Sequence, residues 1–112
     1  MIDLEGIEKV ILYPGVTDMR WGIPGLIAIV GSPLPNTLYV FCGSHMKMLK
    51  ILLVESDSYS LYARKLKVHK YLYPALGKPY ETDPKNLEAI IRCASLVITC
   101  ESNHNLTSRI EY

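Results

Sequence analysis

Three carboxylates, Asp18, Glu55 and Asp57, are the residue types that a metal-dependent nuclease uses in pairs. Glu55 and Asp57, however, lie at the predicted hairpin turn around Ser56-Asp57-Ser58, where acids are common for backbone reasons alone. No Asp-x-Asp spacing supports them as ligands. Cys42, Cys93, Cys100 and His104 could supply a four-ligand zinc site, but structural zinc sites are usually built on a close Cys-x-x-Cys pair, which is absent. Cys42 and Cys93 fall on apolar stretches, where cysteine behaves as a small hydrophobe. His45, His69 and His104 have no sequence-linked nucleophile. Neither a metal nor a cofactor is therefore expected. Pro14-Gly15-Val16-Thr17-Asp18, with Arg20 close by, reads as a strand-to-helix turn capped by Thr17 or as a weak phosphate cradle. It has no Walker or dinucleotide spacing of glycines.

The densest pattern is bases interleaved with tyrosines: Tyr59, Tyr62, Arg64, Lys65, Lys67, Lys70, Tyr71, Tyr73, Lys78 and Tyr80. Bases attract phosphates and tyrosines offer stacking faces, the pairing that flexible nucleic-acid binders use. Core tyrosines with lysines at the rim would give the same pattern. No acid lies between Ser58 and Tyr80, and removing the five bases there from the net charge of +1 leaves −4 on the rest of the chain. Such asymmetry marks a surface for a polyanion, or an edge strand guarded by lysines.

Local patterning says what must position these residues. Leu38–Gly43, Leu49–Glu55 and Tyr59–Leu66 are short runs rich in Val, Ile, Tyr and Phe. The breaks between them are small and polar, which predicts a three-stranded antiparallel meander. Alternation along the third strand sends Tyr62 and Arg64 to one face and Leu61, Ala63 and Lys65 to the other. Lys9–Tyr13, stopped by Pro14-Gly15, reads as an edge or first strand. Apolar spacing from Met19 to Val30 predicts a helix over about 18–30. Pro24 either kinks that helix or starts a shorter one after a turn over Thr17–Gly22, and the kinked helix is the expectation. Lys70–Tyr73 could be a short extended run. Asp83-Pro84 opens a helix to about residue 94. Leu96–Cys100 could be a last strand, and 101–112 a loosely ordered tail. The expectation is an α+β fold in one domain over 1–112, a small sheet built on the meander (38–66) with two helices packed on it.

The chain has 112 residues, 49% of them hydrophobic and 21% charged, an ordinary globular balance. The apolar run Ile23 to Val30 is far short of a membrane span, so no membrane association is expected. MIDLEGIEKV carries acids where a signal peptide needs bases, and three cysteines form no disulfide framework. A cytoplasmic protein is the default.

Two segments resemble a known family. Thr17, Asp18, Met19, Arg20, Gly22, Gly25 and Leu26 match its Thr-Asp-Met-Arg-x-Gly-x-x-Gly-Leu signature. Val40, Phe41, Lys50, Asp57, Tyr59, Leu61, Arg64, Lys65 and Leu66 hold the positions of its central strands. The chain thus resembles the small TnpB accessory protein, the second open reading frame, of the insertion sequence 66 family. That resemblance implies an accessory factor for DNA transposition that is not itself the recombinase and contacts DNA, the transposase, or both. Arg20, Lys47, Lys50, Arg64, Lys65 and Lys67 are the candidate nucleic-acid contacts. Where family members carry a run of arginines, this chain reads Gly43-Ser44-His45-Met46-Lys47.

Overall fold

The computed structural model describes residues 5–92. The proposed last strand at 96–100, the tail, Cys93, Cys100 and His104 lie outside the described residues. The elements run β1 (Lys9–Leu12), α1 (Ile23–Val30), β2 (Thr37–Cys42), a 3-10 turn (Ser44–Met46), β3 (Met48–Val54), β4 (Tyr59–Lys65) and β5 (Tyr80–Thr82). A helix, α2, follows over 84–92. The strands form one sheet in the order β4-β3-β2-β1-β5. The fold is α+β, as expected, on a larger sheet than the meander alone.

The meander stands within one residue of its predicted ends. Its two hairpins pair Val40 with Ile51 and Ile51 with Tyr62. The second hairpin closes where the Glu55 N–H donates to the Ser58 carbonyl at 2.9 Å. β1 is the first strand but not an edge, because it lies between a parallel β2 and an antiparallel β5. A parallel pair needs a crossover, and α1 supplies it. β1, β2 and β4 therefore point the same way, and the loops that leave them gather at one end of the sheet.

The kinked helix from Asp18 does not form. α1 starts at Ile23 with Pro24 in its first turn and Gly22 as a cap that makes no side-chain hydrogen bond. At that position proline's missing N–H would be unpaired anyway, whereas in mid-helix it costs about 3 kcal/mol or more. Thr17 is not a cap; its N–H donates to the Cys42 carbonyl at 2.9 Å, holding 13–17 beside β2. Asp83 does cap, its Oδ1 accepting from the Asn86 N–H at 2.8 Å. The extended run expected at Lys70–Tyr73 is irregular backbone instead. It is pinned where the Tyr71 N–H donates to Met46 O at 2.7 Å and where Tyr73 Oη sits 2.8 Å from Tyr13 O and 2.9 Å from Val40 O.

Both faces of the sheet are covered, so every residue of β2 is buried. On one face Tyr39, Phe41, Leu52 and Val54 pack with Leu26 of α1. Tyr13 stacks on Phe41 with ring centroids 4.7 Å apart. On the other face Leu38, Val40, Leu49 and Ile51 pack with Tyr71, Tyr73 and the Leu87, Ile90 and Ile91 side of α2. Each such aliphatic side chain contributes about 1.5–3 kcal/mol by leaving water. Two of the tyrosines in the base-rich stretch are thus core residues.

Candidate functional site

Three segments meet at the end of the sheet where β1, β2 and β4 finish. They are the loop 13–22 after β1, the turn 43–47 after β2, and the segment after β4 that begins with Leu66. Between them lies an open groove of about 1320 Å³.

Each wall has a physical reason for its shape. In the turn, His45 and Met46 adopt left-handed backbone, φ 68° and 54°. Two such residues in succession cost on the order of 1 kcal/mol each. Two backbone donors from the third wall hold the turn in place: Leu66 N–H to Lys47 O at 2.8 Å and Tyr71 N–H to Met46 O at 2.7 Å. Gly43 is needed because a Cβ there would lie 2.5 Å from Cγ of Met19. Gly25, likewise, leaves room for Trp21, whose Cε3 would be 2.5 Å from an added Cβ. Lys50 then ties loop 13–22 to the sheet. Its Nζ donates to Met19 O at 2.8 Å and Trp21 O at 2.9 Å. The signature residues of this loop therefore act first as its scaffold.

The groove brings together four of the six candidate contacts, Arg20, Lys47, Lys65 and Lys67, and adds Lys70. Asp18 is the single acid among its lining residues. It is engaged by Arg20, whose Nη2 lies 2.6 Å from Oδ2 and whose Nε lies 3.0 Å from both carboxylate oxygens. This contact lowers the Asp18 carboxyl to about 2, with further help from the Arg20 backbone N–H. Arg20 itself stays exposed, with 89% of its side chain open to solvent.

The other two candidates lie elsewhere. Lys50 serves as the loop's anchor. Arg64 projects to the opposite face of β4 from Lys65, where its Nη1 reaches Ile91 O at 3.5 Å. Lys70 belonged to the base-rich stretch but not to the candidate set. The Tyr71-to-Met46 hydrogen bond that brings it to the groove has no local sequence signal.

Nor do the three carboxylates meet. Asp18 lies at the groove, while Glu55 and Asp57 belong to the turn at the far end of β3, a strand roughly 20 Å long. No group of three potential metal ligands occurs among the described residues. The loop's amides form no phosphate cradle either, since the Gly15 and Thr17 N–H groups donate to Pro74 O and Cys42 O. Cys42 is buried, and burial pushes its thiol up to about 11, which keeps it protonated and unreactive. Tyr71 and Tyr73 are raised for the same reason, Tyr71 to about 12. Tyr59 and Tyr80 remain exposed.

The family model described as IS66 Orf2 like protein matches residues 8–97, which include all three walls of the groove. The chain belongs to that family. No curated protein and no solved structure gives a match. With membership of the IS66 Orf2-like family comes an accessory role associated with insertion-sequence transposition. Among the described residues no helix is long and apolar enough to cross a membrane.

Proposed function

We propose that the chain is a non-catalytic accessory protein of transposition that binds the DNA backbone in the groove at the end of its sheet, acting in the cytoplasm. The observation that carries this reading is the groove's charge: Arg20, Lys47, Lys65, Lys67 and Lys70 against one acid that already has a partner. Lysine ammonium groups on flexible stems suit contacts that recognise charge and tolerate any sequence. Titration of a labelled duplex against salt tests it. With about four lysines engaged, log affinity falls against log salt with a slope of roughly −4. Reversing two charges in Lys65→Glu/Lys67→Glu lowers affinity at least tenfold and flattens that slope. Binding that ignores salt, or no binding, rejects the reading.

A second reading, docking on the transposase, is supported by apolar side chains left in water. Val16 is 67% exposed and Leu76 88% exposed, on two turns joined by the Gly15 N–H to Pro74 O bond. Val68 and Leu72 are exposed on the same segment as Leu76. Co-purification with the transposase that survives high salt, and that Leu76→Asp abolishes, would favour this partner over DNA.

A further inference from the structure

The five bases of the groove are not alike. Four are lysines, point charges that turn freely about their stems. The fifth, Arg20, is the most exposed of the charged groups in the two ion pairs found among the described residues, and it is also fixed. Its side fork, Nε with Nη2, is taken up by Asp18, and its own backbone N–H donates to Asp18 Oδ1 at 2.9 Å. The loop carrying it is held from below by Lys50 on the carbonyls of Met19 and Trp21, the residues on either side. An ion pair this exposed contributes little to stability. What it does accomplish is orientation: the end fork, Nη1 with the second proton of Nη2, is left open in a set direction.

We propose that Arg20 is the groove's base-reading residue, its end fork donating to the O6 and N7 of a guanine in the major groove, with Asp18 as the positioning residue behind it. Two parallel N–H donors match that edge, and no other base edge in the major groove presents two acceptors side by side. The lysines attract any duplex, and Arg20 sets where along it the protein rests. The carboxyl of Asp18 is ionised throughout the neutral range, so the orientation is constant there. This inference rests on the groove binding DNA.

The test uses the whole chain and two duplexes that differ at one atom type: one with guanine at every second position of a strand, the other with 7-deazaguanine at those positions. The second keeps charge and pairing but lacks the N7 acceptor. The wild type is expected to bind the guanine duplex about tenfold more tightly. Arg20→Lys keeps the charge but not the fork, so the ratio falls to near one while the salt slope is unchanged. Asp18→Ala lowers the ratio and leaves affinity for the 7-deaza duplex equal or slightly higher, which a merely structural role would not do. Equal binding of both duplexes by the wild type, or a ratio that Arg20→Lys leaves intact, overturns the arginine's role and spares the groove. Binding of neither duplex overturns both readings.

Discussion

The two ends of the β3–β4 hairpin carry opposite charge and use it differently. At the closed end Glu55 and Asp57 are exposed to water, and Ser58 Oγ, with one proton to donate, sits 3.2 Å from a carboxylate oxygen of each. The side-chain contacts of that turn stay within it. At the open end Lys47 and Lys65 face a groove whose acid is already paired. A charged side chain therefore signals binding only where its own surroundings leave some of its donors or acceptors unclaimed. Lys50 makes the point from between the two ends: equally basic, it is committed to two carbonyls of its own chain.

The largest effect is expected at Lys50. Lys50→Met keeps the stem but strands the Met19 and Trp21 carbonyls. A loss of about 2 kcal/mol is expected, from hydrogen bonds that a charged donor makes, and chemical denaturation would read it. The guanine preference should fall with it while the lysine-borne salt dependence remains. An unchanged stability would mean that loop 13–22 holds itself and that Lys50 belongs with the groove's free bases.

A finer test is the ionisation of Asp18. Its folded value, about 2, lies below the ordinary 3.8. A depressed acid stabilises the fold above its unfolded value, and that contribution disappears as the pH falls from about 4 to about 2. Because both partners are exposed, the stability change is small, and NMR titration of the carboxyl is the better measurement. In Arg20→Ala the value should return to the ordinary carboxylate range. If it stays low, something other than Arg20 holds the group, and Asp18 does not orient the arginine's fork.

The smallest effect is expected at the closed end. Glu55→Gln/Asp57→Asn should change stability by no more than about 0.5 kcal/mol and leave DNA affinity within twofold. A large loss of affinity there would erase the distinction between the two ends.

Much of this architecture is legible in the sequence, and what is not shares one cause. The meander is local: its apolar runs and polar breaks are contiguous, and alternation along β4 is enough to separate Arg64 from Lys65. β5 is not local. It has three residues, none of them buried, and becomes a strand only because β1 has an open side. The start of α1 turned on whether Pro24 would be interior or first, which apolar spacing does not decide. In the same way, the sequence offers six candidate contacts but does not show that Lys50 would find two carbonyls or that Arg64 would reach Ile91. Partners contributed by distant segments decide which charges remain available.

The placement of β1 also bears on how the chain is made. Val10 pairs with Leu38 on one side and with Thr82 on the other. During synthesis the hairpins of β2, β3 and β4 emerge as a contiguous unit, and low sequence separation lets them close early. β1 keeps one edge unprotected until Tyr80–Thr82 has been made, so among the described strands β5 is the lid on the nascent sheet.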